Sequence, residues 1–575
     1  MNAGGNTAEN QRYLAGHKDL RDSSLQAYFS EVRRWMRGHE LNSTPLDFCR
    51  ALYDSALGLS SSGSEETSAM QSALRALEDN ERDYAVATTY ALLMDQQVRQ
   101  RLGVFFTPPA LVRHLLQAMV SHGLDIREHR IADPAAGGAA FVVPLARLVL
   151  LHSRGLPNHL RLEQLTNRLA GIEIDPGLGK LANHLLSRIV AAELGETRGF
   201  ARILRGRRRL VRTANALQYT PEEPFDAIIG NPPYGRLTAD EFATWRELYP
   251  EIARDGHLNW FAIFVRRSLD LLKPQGLLGF VLPTSFIGSP SYTGFRETVV
   301  QIADILRIDH IDQRKGLFQS VQQDCCFLVL RKRSSRPLRR PACRLGFLSS
   351  GGDYRTDGSF SPRADGSPWL MSSGKPSDES ALSKDQSECT TLSDLGWRGS
   401  VGPIVPHRHQ SIMLRKRPAA IPLDQVVVPL IWSKAITPDG HFDPERNRQC
   451  SEYTLVKCAR NHPSLLRGPA ILVQRTSNKQ QRRRINTAIL PSSFSGKHGA
   501  IAENHVIVLF PPKGLREREL QAWADLLSSP EFNHLFRERS GTITVSVRLL
   551  LHLAFPRDWA PEIEAAGHRR SASAT

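Results

Sequence analysis

The sequence has 575 residues, which exceeds the size of an ordinary domain and predicts about three or four of them. Lys and Arg number 74 against 58 Asp and Glu, so the formal net charge is +16, and this surplus favours a polyanionic partner whose phosphates the cations would neutralise. The seven cysteines contain no C-x-x-C pair and the amino terminus has no apolar h-region, which argues against a zinc site, a disulfide framework and export, so we expect a cytoplasmic protein.

Four regions follow one another along the chain. Residues 1–95 show helical periodicity, as in residues 25–35, which predicts a helical N-terminal region that packs beside the next one. Residues 96–335 alternate strand and helix patterns, which predicts a doubly wound α/β sheet. Residues 336–394 are rich in Ser, Gly and Asp and are expected to form a linker or mobile insertion. Residues 395–565 regain apolar strand patterns followed by a helical one, which predicts a separate C-terminal domain.

The most informative motif is Asn231-Pro232-Pro233-Tyr234, which directly follows the apolar run 225–230. Such a run predicts a buried strand, and open α/β sheets bind ligands at the carboxyl ends of their strands. The prolines stiffen the turn and donate no N–H, so the Asn231 side-chain oxygen and the Pro232 carbonyl can both accept from an exocyclic amino group. Tyr234 offers a ring for stacking. The motif therefore indicates methyl transfer to nitrogen, and the plain alternative is a turn that ends a strand.

Three segments upstream of this motif end in residues suited to a cofactor. The first places Asp133, Ala135 and Gly137 in a loop of small residues before a helical pattern, where backbone N–H groups can meet a negatively charged group. The second ends in Glu173, whose carboxylate could accept both hydroxyls of a ribose. The third ends near Asn215, which could read an adenine edge. Together with the strand predicted before Asn231, these segments give four strand ends in order along the chain, and we predict that they form one site.

In this order the motifs resemble those of the DNA adenine-N6 methyltransferases of bacterial restriction-modification systems, in the gamma arrangement of that family. The resemblance extends over roughly residues 100–332. It rests on the segments GVFFTPP (103–109), DPA (133–135), GIEIDP (171–176), NPPY (231–234), GLLGFVLP (276–283) and GLF (316–318).

The resemblance implies S-adenosyl-L-methionine as the cofactor, a flipped-out adenine as the target, and a C-terminal target-recognition domain that reads double-stranded DNA. It implies that Thr107 and the Asp133 loop hold the methionine part of the cofactor. Glu173 would hold the ribose. Asn215, where the family often has Asp, would hold the cofactor's adenine.

The resemblance also implies how the target base is held, and it exposes a departure in the cofactor loop. Tyr234 would stack on one face of the base. Phe318 is the candidate for the other face, and a core aromatic is equally consistent with its position. The family loop reads Asp-Pro-Ala-Cys-Gly-Ser-Gly, whereas this chain has Ala136, Gly138 and Ala139 at the differing positions. Because Ala139 adds a Cβ where a glycine is common, it is expected to affect cofactor affinity.

Two arginine-rich stretches are candidate DNA contacts. The first lies within residues 198–212 and is equally consistent with solvated surface. The second lies in the predicted C-terminal domain and is preferred. It consists of Arg475, Lys479, Arg482, Arg483 and Arg484.

The sequence leaves two rival functions open. One is a methyltransferase acting on a protein glutamine or an RNA base, since related Asn-Pro-Pro-Tyr sites also grip amides and guanine amino groups. The other is a catalytically inactive DNA-specificity protein, which the altered loop permits. No nuclease motif and no metal site are recognised, so a cognate restriction endonuclease acting on the same site would be a separate partner.

Overall fold

The computed structural model divides the chain into two compact units. The first comprises residues 1–286 and 291–367, and the second comprises 287–290 and 368–575. The residues that the structure describes are 23–59, 67–95, 97–99, 106–195, 209–256, 258–311, 324–334, 341–349, 352–369, 389–476, 483–512, 515, 517–540 and 545–561.

The described part of the first unit opens with four helices: α1 (Ser23–Gly38), α2 (Pro45–Ala56), α3 (Ser68–Arg75) and α4 (Asp79–Leu93). A capping box between Glu78 and Glu81 starts α4, because each side chain accepts from the other's backbone N–H. Most of α4 is buried, and its Thr89 hydroxyl lies 2.8 Å from that of Tyr28 on α1. The four helices share one hydrophobic core with the sheet that follows.

A nine-stranded sheet forms the centre of the first unit, in the order β3-β2-β1-β4-β5-β7-β6-β8-β9. All its strands run parallel except β7 and β9. The prediction of a doubly wound α/β sheet is confirmed. The strands are β1 (Ile131–Asp133), β2 (Leu169–Glu173), β3 (Val211–Thr213), β4 (Phe225–Gly230), β5 (Leu272–Pro283), β6 (Ala303–Ile311), β7 (Cys325–Lys332), β8 (Cys343–Leu348) and β9 (Tyr354–Phe360).

Helices cover both faces of this sheet, as the burial of β4 shows. Ala227 and Ile229 point into the core shared with α1–α4, while Ile228 points the other way and is equally buried. The helices are α5 (Pro109–Ser121), α6 (Val142–His152), α7 (Asn158–Arg168), α8 (Pro176–Leu194), α9 (Ala239–Leu248), α10 (Pro250–Ala253), α11 (Trp260–Leu271), α12 (Ser285–Gly288) and α13 (Thr293–Ile302).

The structure corrects the predicted linker at residues 336–394. Its β8 pairs in parallel with β6, and β9 pairs antiparallel with β8, so residues 343–360 extend the sheet. The Gly-rich and Ser-rich composition misled the prediction because the hydrogen-bond partner that orders these strands lies in β6, distant in sequence. Residues 370–388 lie outside the described part of the chain.

The second unit contains two four-stranded sheets, in the orders β11-β18-β15-β16 and β12-β14-β13-β17, and a two-stranded pair of β10 and β19. Three helices pack on the first of these sheets around Trp397 and Trp523. The strands are β10 (Cys389–Thr390), β11 (Arg398–Val401), β12 (Met413–Leu414), β13 (Gln425–Ile431), β14 (Leu455–Ala459), β15 (Ile471–Gln474), β16 (Thr487–Ile489), β17 (Ile501–Ala502), β18 (Val506–Phe510) and β19 (Phe555–Pro556). The helices are α14 (Pro444–Gln449), α15 (Ser492–Ser495), α16 (Glu517–Ser528), α17 (Pro530–Ser540) and α18 (Val547–His552).

Among the described helices of both units, none combines the length and the apolar character needed to cross a membrane.

Candidate active site at the carboxyl ends of the strands

The predicted site residues end neighbouring strands of the sheet. Asp133 closes β1 and pairs with Gly171 of β2, and Glu173 closes β2 and pairs with Thr213 of β3. On the other side of β1 lies β4, which ends immediately before Asn231. Strand order reverses between β1 and β4, and such switch points leave a crevice at the carboxyl ends of the strands where ligands bind.

Asp133 presents a buried oxygen that has no partner among the described residues. Its side chain is 2% exposed, and Oδ1 accepts from the Ala135 N–H at 3.0 Å, while Oδ2 makes no hydrogen bond there. Burial raises the pKa of this carboxyl to about 8, and the negative charge of the nearby Glu173 adds to the rise. Thr107 repeats the pattern, because it is 1% exposed and its Oγ1 also lacks a described partner. Buried polar atoms without partners mark a place for a ligand.

The loop that follows β1, predicted to hold the cofactor, packs tightly against Phe106 and α4. A Cβ on Gly137 would lie 2.8 Å from the Phe106 ring, and a Cβ on Gly138 would lie 2.2 Å from Cβ of Ala87 on α4. Both positions therefore require glycine. Ala139 adopts φ 66°, the left-handed region that an alanine enters at a cost of about 1–2 kcal/mol. The alanine at this position thus keeps a backbone conformation that suits glycine better.

Glu173 already binds the loops on either side of it. Its Oε2 accepts from the Gly137 N–H at 2.7 Å, and its Oε1 accepts from the Asp175 N–H at 2.8 Å. The side chain is 8% exposed, and burial raises its pKa to about 7. A carboxylate has about four lone-pair positions, so Glu173 keeps capacity to accept from a ligand hydroxyl beyond these backbone N–H groups.

Helix α4 reaches the same region through a residue that the sequence analysis did not identify. The Tyr90 hydroxyl donates to Asp175 Oδ1 at 3.3 Å, and a Cβ on Gly177 would lie 1.9 Å from that hydroxyl. Asp175 Oδ1 also caps α8 by accepting from the Leu178 N–H at 2.7 Å. The preceding Ile174 is 55% exposed, so an apolar side chain stands open beside Glu173. No local signal linked Tyr90 to this turn, because the two are 85 positions apart.

The Asn-Pro-Pro-Tyr motif folds back on itself. The Tyr234 hydroxyl reaches both the Asn231 side-chain oxygen and, at 2.9 Å, the Val281 carbonyl of β5. Burial and the adjacent Cys325 and Cys326 raise the pKa of Tyr234 well above its ordinary value, so the hydroxyl stays a donor. Its single proton can serve either acceptor, and the contact fixes the orientation of the Asn231 amide.

The remaining predicted residues differ in what the structure shows. Asn215 uses its Oδ1 to accept from the Leu217 N–H at 3.0 Å, so this oxygen stabilises its own turn at the end of β3. Pro232 and Pro233 follow Asn231 as predicted, and Pro232 is buried. Phe318 lies outside the described residues.

Two of the predicted DNA-contact arginines donate their guanidinium groups to backbone carbonyls of the second unit. Arg475 donates to the Asn504 carbonyl at 2.9 Å, and Arg483 lies 3.4 Å from the Pro438 carbonyl. Arg484 is partly buried, and its backbone N–H donates to Asn533 Oδ1 at 2.7 Å. Lys479 and Arg482 lie outside the described residues.

A doubly wound sheet with acidic residues closing β1 and β2 and Asn-Pro-Pro-Tyr after β4 defines a domain of the methyltransferase type. Residues 170–318 match the model of the Eco57I restriction-modification methylase family, so the chain carries a domain of this restriction-modification kind. This match confirms the resemblance to the DNA methyltransferases of restriction-modification systems. It does not test the prediction that N6 of adenine is the methylated atom. The predicted cofactor and the predicted DNA partner agree with this match.

Individual relatives cover very different shares of the chain. RM.MjaORFECS2P of Methanocaldococcus jannaschii is 33% identical over 115 residues, which are 20% of this chain and 9% of that protein. Type II methyltransferase M.BsuBI of Bacillus subtilis is 21% identical over 483 residues, 80% of this chain and 88% of that protein. The matched part of this chain therefore corresponds to a small fraction of the length of the first relative, 9%, and to most of the length of the second, 88%.

One solved structure, the DrdV-DNA complex, has the same fold along most of the chain. It aligns with a TM-score of 0.52 over 96% of this chain and 68% of that one, at 14% sequence identity. At this identity the likeness concerns the fold.

Proposed function

We propose that this protein transfers a methyl group from S-adenosyl-L-methionine to N6 of adenine in duplex DNA, as the modification component of a restriction-modification system. The observation that carries the proposal is the position of Asn231 to Tyr234, directly after β4 and beside the end of β1 at the switch point of the sheet. The match of residues 170–318 to the Eco57I methylase family supports it.

The residues present fit the cofactor. Asp133 Oδ2 and Thr107 Oγ1 are buried polar atoms without described partners, which suit the ammonium and carboxylate of the methionine part. Glu173 could accept from the ribose hydroxyls at the end of β2, and the exposed Ile174 offers an apolar surface to the purine. When bound, this cofactor supplies an electrophilic methyl group on a sulfonium.

The motif at the end of β4 supplies two acceptors for the target amino group. Asn231 Oδ1 and the Pro232 carbonyl would draw the two amino hydrogens aside, so that the nitrogen lone pair can act as nucleophile. After transfer of the methyl group, the nitrogen would lose one of these two protons, and the sulfur of the cofactor would leave as a thioether. Tyr234 fixes the amide of Asn231 through its hydroxyl and holds its own place on the Val281 carbonyl. In this proposal no histidine acts as a general base, because positioning of the amino group and the hydrogen bonds to it supply most of the rate acceleration.

The proposal is tested by supplying radiolabelled S-adenosylmethionine and the full chain with duplex DNA, structured RNA and total protein as separate acceptors. Label in duplex DNA, mapped to N6 of adenine at a recurring site, is expected. Label on cytosine would overturn the adenine assignment, and label only in RNA or protein would overturn the DNA assignment.

Two variants make the assay specific for the motif. Asn231→Ala removes the proposed acceptor and should abolish label transfer. Asn158→Ala is the matched control, because it removes an amide on α7 that donates to the Leu194 carbonyl, and it should transfer label like the parent.

A further inference from the structure

An exposed arginine lies two residues beyond the Asn-Pro-Pro-Tyr motif. Among the residues that the structure describes, Arg236 forms no hydrogen bond and no ion pair. The acidic residues that follow it most closely along the chain, Asp240 and Glu241, lie in the first turn of α9, and Glu241 accepts from the Thr238 N–H at 2.8 Å. The charge of Arg236 is therefore available to a ligand.

Most other cations between residues 236 and 273 are bound within the first unit. Arg254, Arg266 and Lys273 each form an ion pair with a carboxylate, and Arg267 donates to a backbone carbonyl. Arg246 on α9 is exposed and, like Arg236, has no partner in the described part of the chain. It lies ten positions beyond Arg236, which makes it a matched control.

The backbone that carries Arg236 is fixed to the start of α11. The Trp260 N–H donates to the Gly235 carbonyl at 3.1 Å, and Arg236 forms an antiparallel bridge with Asn259. A Cβ on Gly235 would lie 3.2 Å from Trp260 Cδ1, so the glycine permits this close approach. A fixed backbone limits the freedom that the arginine loses when it binds a ligand.

The turn after β4 leads towards β5. The Tyr234 hydroxyl reaches the Val281 carbonyl of β5 at 2.9 Å, and α11 continues directly into β5. The ends of β1 and β2, where Asp133 and Glu173 lie, are on the other side of β4. Arg236 is therefore attached on the side of β4 opposite the residues that would hold the cofactor.

A second polar atom at the same bridge lacks a described partner. Asn259 precedes α11 without capping it, and its Oδ1 is buried with no described group donating to it. Buried polar atoms are generally paired in folded proteins. The unpaired oxygen beside Arg236 indicates that a polar group from a ligand completes this corner of the site.

We propose that Arg236 binds a backbone phosphate of the target strand, at or next to the nucleotide whose base is flipped out to Asn231. This inference rests on the proposed function and adds the contact that holds the backbone of the flipped nucleotide. Five residues of extended chain span at most about 18 Å, and phosphates follow one another about every 3.4 Å along one strand of a duplex. A base bound at Asn231 therefore brings phosphates within reach of Arg236.

The chemistry of the two partners is complementary. A flipped base leaves the stack, but the phosphates on either side of it keep their charge. A guanidinium binds a phosphate through two parallel N–H donors, which fixes the orientation of the phosphate as well as its position. The contact would form in the flipped state and would favour that state over the stacked one.

The test measures binding of the full chain to fluorescent duplexes by anisotropy, after the methylated site has been mapped. Arg236→Gln should weaken binding to a duplex with the site about tenfold or more, because hydrogen bonds to a charged group are lost. It should also flatten the plot of log affinity against log salt by about 0.9, the value for one phosphate. On a duplex without the site no base is flipped to Asn231, so the variant should bind like the parent.

Neutral methylphosphonates locate the contacted phosphate. Each one replaces a single phosphate of the target strand near the adenine. At the contacted position the parent should bind about tenfold more weakly or less tightly still, since the same charged contact is lost. Arg236→Gln should lose nothing further at that position, because both changes remove one and the same contact.

Matched variants control for charge and for folding. Arg246→Gln removes an exposed arginine without a described partner and should keep the parent's affinity and salt slope. Arg236→Lys keeps the charge without the two parallel donors, so it should keep the salt slope and lose less affinity than Arg236→Gln. All variants should keep the parent's midpoint of unfolding in urea and its affinity for the cofactor.

Failure of this inference differs from failure of the proposed function. A parent that binds and methylates no duplex overturns the proposed function. A parent that methylates its site, with an Arg236→Gln variant of equal affinity and equal salt slope, overturns this inference alone. Equal weakening with and without the site would also overturn it, in favour of a general attraction to DNA. A folded Arg236→Gln variant with lowered cofactor affinity would overturn it in favour of the cofactor carboxylate as the ligand.

Discussion

Cofactor binding is expected to depend on pH through Asp133. Its carboxyl is buried, its Oδ2 has no described partner, and burial raises its pKa to about 8. At neutral pH the free protein therefore holds a proton there, and a cofactor ammonium group requires the carboxylate. Binding must expel that proton, so affinity should rise as pH rises and level off above about 8.

The size of the effect follows from the shifted pKa. One pH unit below a pKa of about 8, roughly a tenth of the molecules are ionised, so affinity at pH 7 should be about tenfold below its plateau, or about 1.4 kcal/mol weaker. Glu173, with a pKa of about 7, adds a smaller change of the same sign. The free chain should show the opposite trend in stability. Its folded state keeps a proton that the unfolded state releases, so stability falls as pH rises from the unfolded carboxyl's ordinary pKa towards 8.

Calorimetric titration of the cofactor checks this, in pairs of buffers whose ionisation enthalpies differ. Near pH 7 we expect release of close to one proton per cofactor bound, and affinity that increases up to about pH 8. Asp133→Asn cannot titrate, so it should bind weakly with a much flatter pH profile. The assignment of Asp133 to the cofactor would be refuted by two results together: proton release near zero, and a cofactor affinity of the parent that stays constant across the pH range around its pKa of about 8.

Four further substitutions test other parts of the site. Asn231→Ala should lower the methyl-transfer rate by about a hundredfold or more in single-turnover assays and leave cofactor affinity near normal, and a rate close to the parent's would contradict its role. Glu173→Ala should weaken cofactor binding by at least about tenfold in calorimetry with little change in DNA affinity. Tyr90→Phe removes the hydroxyl that donates to Asp175 and should weaken cofactor binding only a few-fold, about 0.5–1.5 kcal/mol, with single-turnover rate unchanged at saturation. Gly138→Val drives a Cβ towards Ala87 on α4 and should lower the free energy of unfolding by about 1–3 kcal/mol, measured in urea.

The sequence predicted the parts of the site that depend on local order along the chain. Asp133, Glu173 and Asn231 each follow an apolar strand pattern, and parallel strands bring their carboxyl ends to one edge. The grouping of these residues at one edge can therefore be predicted from the strand patterns alone. The roles of these residues stay predictions.

Other features depended on contacts between distant segments and could not be read locally. Ala87 and Tyr90 lie in a helix whose pattern indicates only burial, yet they pack against Gly138 and Asp175. The turn at Leu423 likewise involves a distant residue, because Arg460 lies just after β14 and its Nε donates to the Leu423 carbonyl at 3.2 Å. The DNA contact predicted for the arginines near residue 480 stays a prediction, because the sequence does not show which cations are bound by the protein's own carbonyls.

The strands β8 and β9 determine where this chain can be joined to part of a homologous chain in a chimaera. A chimaera joined at residue 336, inside the predicted linker, would strip both strands from the sheet and leave the outer edge of β6 without hydrogen-bond partners. It would also uncover Asp309, which is fully buried and lies beside Tyr354 of β9. A junction after Phe360 keeps the sheet whole. Exchange of C-terminal units between homologues is therefore expected to give folded proteins with crossovers between 361 and 367 and aggregating proteins with crossovers near 336.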